Sequence, residues 1–343
     1  MRTRAWWAVV GLAVAAALAP LPEGYVERWY SHGVYPPLQR AVTGASNHVP
    51  FAIFDVLCVF ATIAVVLLIY RRVLRDGWLR GLAQAAIVLV CGSSVAYLVF
   101  LATWGLNYRR LPIFEKVEFA PERVTRGAAI ALGDRASREL NRLYRAAHER
   151  TVPLDSLASA VDDAQTALGG RVAFVPGRPK QTLLGGYFHQ VAVAGMTDPF
   201  ALETLISPDL LEVERPFVVA HEWAHLAGYA DEAEANFVAW LACMHAGDSA
   251  QYSAWLVLYS SLPKSRRSPT RDDPVLDPGP RIDLYAMWYR YHRTNQTLRF
   301  AASEVYDRYL KANRVQAGVE SYDLVVQLIL GARLDARGNP IRR

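Results

Sequence analysis

The stretch from Phe217 to Phe237, FVVAHEWAHLAGYADEAEANF, decides how this chain is read. It holds His-Glu-x-x-His at His221, Glu222 and His225, with Asp231, Glu232 and Glu234 close behind. Residues four apart share one face of an α-helix, so His221 and His225 offer imidazole nitrogens to a single point. Zinc takes nitrogen and oxygen ligands, and a catalytic zinc site uses three protein ligands plus a water. Glu222 turns toward that water and takes its proton as the metal lowers the water's pKa toward about 7. Each fixed position of the motif therefore has a role. Gly228 is the expected C-cap of this helix, and Asp231 suits the N-cap of the next. A third ligand must project from the first turn of that second helix. Glu232 and Glu234 are two apart and face different sides, so one binds while the other points away.

Upstream of this stretch the chain is apolar. Hydrophobic residues make up 52% of the 343 positions and charged ones 20%, and most of the excess lies before Trp104. Three runs, at about 5–20, 51–70 and 82–104, are expected as transmembrane helices of a membrane anchor over 1–104. The first is shorter, and its AVAAALAP end also fits a signal peptide. The loop RRVLRDGWLR holds Arg71, Arg72, Arg75 and Arg80, which places it in the cytoplasm, together with Arg2 and Arg4. Residues 21–50 and the domain 105–343 are then extracytoplasmic. Asp55, at the outer end of a span, is expected as an interfacial carboxylate that reaches water. The net charge of +5 is accounted for by these flanking arginines. No basic patch is interleaved with stacking aromatics, so nucleic acid is not an expected partner. Three cysteines, Cys58, Cys91 and Cys243, define no disulfide framework.

The second half reads as α+β with a helical majority. WGLNYRR is a polar exit from the membrane with Tyr and Arg at the interface. Helices are expected over 121–150, 154–168, 231–245, 249–262, 282–313 and 322–332. RVAFVPG and YFHQVAVAG are expected as short strands, the latter as an edge that a peptide could extend. PKSRRSPTRDDPVLDPGPR is a Pro- and charge-rich loop. His189 is expected at the surface. Tyr291, His292 and Tyr322 are candidates to stabilise an oxyanion, though aromatics on helices more often serve packing. Cys243 and His245, two apart on a helix, do not make a second metal pair.

HEWAH followed by EAEANF resembles the gluzincin-type metallopeptidases, whose second helix bears a Glu-x-x-Ala-Asp or Glu-x-x-Ala-Asn motif. The resemblance implies Glu232 as the third zinc ligand and Asn236 as its support. The turn HxxGxxD is also similar to the metzincin arrangement, in which the ligand would be Asp231. The whole layout resembles an uncharacterised family of bacterial three-span membrane proteins with a C-terminal zincin-like domain. That likeness implies a multi-pass protein of the bacterial inner membrane. The expected function is a zinc metallopeptidase acting on proteins or peptides at the outer membrane face, amid membrane lipid. The alternative is a non-catalytic membrane protein whose zincin-like domain binds a partner or keeps a structural metal. Glu222 separates the two, since a structural site has no use for it.

Overall fold

The computed structural model describes residues 2–262, 275–313 and 324–343. Helix α1 (Arg2–Leu18) ends just before Pro20 and Pro22, which lack the N–H that would continue it. The chain then bends and returns to helix through α2 (Glu23–Tyr25), a π-helical stretch (Val26–Val34) and α3 (Tyr35–Asn47). Helices α4 (Ile53–Asp76) and α5 (Trp78–Thr103) follow, joined only by Gly77 at φ +77°. These two are long and apolar enough to cross a membrane, and there are three such spans if the pair of limbs bent by 108° at residues 19–22 counts as one.

The remainder is also mostly helical: α6 (Ile113–Lys116), α7 (Arg126–Glu149), α8 (Leu154–Ala167) and α9 (Gly185–Val191) lead to the sheet. Strands β1 (Gly195–Asp198) and β2 (Glu203–Ile206) pair antiparallel, with Met196 opposite Leu205. Then come α10 (Arg215–Leu226), α11 (Glu232–His245), α12 (Asp248–Ser261), α13 (Pro278–His292), α14 (Gln296–Ala312) and α15 (Leu324–Gly331). The core forms where α10 and α11 pack with α8 and α12, and α12 in turn with α7, around Trp223, Phe237, Trp255, Leu140 and Leu157. Tyr35 of α3 and Phe100 and Trp104 at the end of α5 belong to the same core.

Several elements depart from expectation. RVAFVPG forms no strand, because its backbone finds side chains instead of a ladder. Gln39 on α3 donates to the Val175 carbonyl (2.7 Å) and accepts from the Val175 N–H (3.0 Å). Asn47, two turns on, does the same for Pro176 and Arg178. YFHQVAVAG is helical at its start: Gly185, Phe188 and Val191 bury one face at helical spacing. Ala192 in the left-handed region (φ 62°) ends that helix, and the strand begins only at Gly195. The helix expected over 282–313 breaks in two at Thr294, and Asn295 caps the second half by accepting from Leu298 N. Asp55 does not reach water: it is buried and accepts from Thr182 Oγ1 (2.5 Å) and Leu183 N (2.8 Å). Arg109 and Arg110 of the exit segment are buried in protein, not spread at an interface. Most of the Pro-rich loop and Tyr322 lie outside the described residues.

Candidate metal centre

Helix α10 ends as the sequence suggests, and the way it ends aims the site. Gly228 (φ +92°) takes the left-handed C′ position. Its N–H bonds the His225 carbonyl (3.0 Å) and Tyr229 N–H bonds Ala224 (3.1 Å), the double closure of a Schellman turn. A Cβ at Gly228 would come within 3.1 Å of Tyr35 and 3.3 Å of Asn107 Oδ1, so close packing as well as φ selects glycine. The reversed chain enters α11 with Asp231 as N-cap, its Oδ1 accepting from Ala233 N (2.9 Å) and Glu234 N (3.2 Å).

The three acids then separate. Asp231 spends its carboxylate on the cap. Glu234 turns away from the histidines and accepts from Ile113 N (2.6 Å), beside Lys116. Burial and the Asp231 charge raise its pKa, against the pull of Lys116. Glu232 alone faces the histidines: Oε2 lies 3.3 Å from His221 Nε2 and Oε1 3.7 Å from His225 Nε2. The two Nε2 atoms are 3.1 Å apart. His221, His225 and Glu232 thus offer one donor atom each, all within 4.8 Å of one another, and are able to hold a metal ion.

Histidine chemistry supports the donor set. His225 Nδ1 lies 2.7 Å from the Tyr229 carbonyl, which can only accept, so Nδ1 carries a proton and Nε2 is the nitrogen turned to the cluster. His221 Nδ1 is buried with no hydrogen-bond partner. Burial opposes charge on His225, yet the adjacent Glu232 carboxylate outweighs it and pushes the imidazole up to about 9. Burial also opposes charge on Glu232, and the two imidazoles overturn it, holding this carboxyl well below the usual range.

Glu222 sits on the other side, between α10 and β1. Thr197 Oγ1 is 2.9 Å from Glu222 Oε2 and 2.9 Å from its carbonyl oxygen. A Cβ at Gly195 would stand 2.7 Å from Glu222 Oε1, so the absence of one lets this carboxylate lie against the strand. Burial raises the Glu222 pKa against the pull of His221 and His225, which favours a group that holds a proton once it has taken one.

An aromatic wall closes the cluster. Tyr306 of α14 donates to Glu232 Oε1. It stacks on Tyr309, which packs edge-on against Tyr108, which packs edge-on against Trp104. Trp104 lies one residue past the end of α5 and donates through Nε1 to the His225 carbonyl (3.0 Å). Arg110 donates to the Gly228 carbonyl (2.8 Å) and forks onto Glu27 (2.9 Å to each oxygen). The segment WGLNYRR is therefore the rear wall of the site. None of this was evident in the sequence. Its only signals are Tyr306 and Tyr309 at same-face spacing and the odd density of polar groups after Trp104. Tyr291 and His292 point elsewhere: Tyr291 is exposed and lies under Arg299, and His292 stacks on Trp288. His189 bonds Asp209 (2.6 Å), and Cys243 is buried in the core, so neither joins the cluster.

A mostly helical chain with two or three helices able to span a membrane, a small sheet and a His-His-Glu cluster is thus the class that the fold and the site define. The chain belongs to the DUF3810 family, proteins of unknown function, whose model matches residues 30–330. No curated protein and no solved structure matches it.

Proposed function

We propose that this protein is a membrane-anchored zinc metallopeptidase of the gluzincin type, with zinc held by His221, His225 and Glu232. The observation that carries the reading is the spacing of the three donors. Ligands at ~2.0 Å in a tetrahedral set stand about 3.3 Å apart; here the two Nε2 atoms are 3.1 Å apart, Glu232 Oε2 is 3.3 Å from His221 Nε2 and its Oε1 is 3.7 Å from His225 Nε2, with one donor atom per residue all within 4.8 Å. A divalent cation among these donors would take over the charge balance that the two imidazoles give Glu232, releasing their protons as it binds. When bound, zinc supplies Lewis acidity and makes a water acidic enough to lose its proton near neutrality.

Glu222 receives that proton at the carboxylate that Thr197 orients, and later returns it to the leaving amine. Strand β1 supports a peptide substrate. Residues 204 and 206 of β2 bond Lys180, so alternation leaves Gly195 and Thr197 with N–H and C=O turned outward on the free edge. An extended peptide adds there by main-chain bonds, directly beside Glu222. By the arginine rule the site faces the extracytoplasmic side, so the substrates are proteins or peptides at the outer face.

Metal analysis of the purified full chain tests the site. We expect about one zinc per chain, kept in Glu222→Gln and lost in His221→Ala, His225→Ala and Glu232→Ala, whereas Glu234→Ala and Asp231→Ala keep it. A wild type without zinc sinks the reading. Proteomic comparison of wild type with Glu222→Gln tests catalysis: uncut substrates accumulate in the variant. Zinc with an unchanged proteome would turn the case toward the non-catalytic reading, a metal kept for structure or partner binding. A reporter fused after Trp104 tests orientation, and a cytoplasmic signal overturns it.

A further inference from the structure

The start of α4 does more than enter a membrane. From Ile53 to Tyr70 this helix runs about 27 Å at ~1.5 Å per residue, slightly less than the ~30 Å hydrocarbon core. Arg71, Arg72 and Arg75 hold its far end at the head groups. The first turn of α4, which carries Asp55, then lies at the opposite edge of the hydrocarbon.

Asp55 pins a second segment at that depth. Its carboxylate accepts from Thr182 Oγ1 (2.5 Å) and from Leu183 N (2.8 Å). Leu184 N donates to Thr182 Oγ1 (3.0 Å), Gly185 N to the Thr182 carbonyl (3.0 Å) and Phe188 N to the Leu184 carbonyl (2.8 Å). Three successive N–H groups of the turn are thus satisfied without water, the condition that lipid imposes on any backbone it contacts. The side chains of the turn face outward: Leu183 is 80% exposed, Tyr187 49% and Phe51 on the same rim 56%. On the Asp55 side of α4 the exposed apolar surface goes on through Val59, Ile63 and Val66, which helical spacing places on that same side.

We propose that residues 182–184 and α9 dip into the leaflet at the start of α4, and that its lipid covers Phe51, Leu183, Leu184 and Tyr187. The occupant is lipid because the patch is continuous with the lipid-facing span and lies at its depth. Leu183 enters the acyl region, and Tyr187, an amphipathic ring, sits at the head groups. Asp55, costly at this depth if left alone, is held by the turn it caps.

A photoreactive benzophenone side chain at position 183 or 187 of the full chain, reconstituted in phosphatidylcholine vesicles, tests this. Phe60 serves as the lipid reference and Arg145, exposed and paired with Glu149, as the aqueous one. We expect lipid adducts at 183 and 187 several-fold above those at 145 and near those at 60. Yields at 183 and 187 no higher than at 145 overturn the proposal. If the variant at 183 does not fold, 187 decides alone. The readout needs no metal and no activity, so it stands or falls apart from the peptidase reading.

Discussion

Single atoms set the behaviour of two residues of β1. At Gly195 a methyl group would stand 2.7 Å from Glu222 Oε1 and 3.0 Å from its Cγ. On the zinc-peptidase reading proposed above, Gly195→Ala should leave zinc content unchanged while lowering activity by ~10²-fold, the scale of a roughly 1 Å misplacement; metal analysis beside a turnover assay reads both. Asp198, at the end of the same strand, is fully buried. Burial pushes its carboxyl up to about 6, against the N–H groups of Ala201 and Phe200 that it accepts from. Its folded pKa thus lies above the unfolded value of about 3.9. The folded state therefore holds the proton more tightly between about pH 4 and 6, and stability falls as pH rises through that window. Denaturation at pH 5 and pH 7 should show the wild type gaining stability at the lower pH through this group. Asp198→Asn, which cannot titrate, should lose that part of the gain.

At the scale of elements, the two-helix unit was legible because every signal that builds it is local. The i, i+4 histidines, the glycine turn and the aspartate cap all fall within one short stretch, and each sits where its chemistry places it. Two substitutions separate fold from metal there. Gly228→Ala forces a Cβ into a left-handed turn against Tyr35 and should cost about 1–2 kcal/mol. Asp231→Ala removes a cap and should cost about 1 kcal/mol while sparing the ligands; denaturant titration measures both. What could not be read are the elements defined by distant partners. Residues 175–178 form no strand, and Gln39 and Asn47 bond their backbone where a neighbouring strand would, side chains from across the chain. Tyr306 meets Glu232 from 74 positions away. The helix at 185–191 was hidden by a short apolar alternation that fits either period.

Across the whole molecule, the helices able to span a membrane are joined to the rest of the fold by buried polar contacts. Lys180 Nζ bonds Glu203 (2.7 Å), the Ser46 carbonyl and Ser46 Oγ (2.9 Å each), while Glu203 accepts from Phe54 N (2.7 Å) at the start of α4. The pair is 2% and 1% exposed. Lys180→Met leaves Glu203 charged and buried, and should destabilise the protein by about 3–5 kcal/mol, visible as a large drop in thermal midpoint. At the other span, Trp104 ties α5 to the backbone oxygen of His225. A helix that crosses a bilayer adjusts its tilt to the local thickness. With the indole fixed one residue beyond that helix, a change of tilt would pull on the carbonyl of His225, a member of the cluster. On the zinc reading proposed above, acyl-chain length would thereby become a variable of metal affinity: the thickness of the surrounding lipid would be felt, through one N–H, at the His-His-Glu cluster.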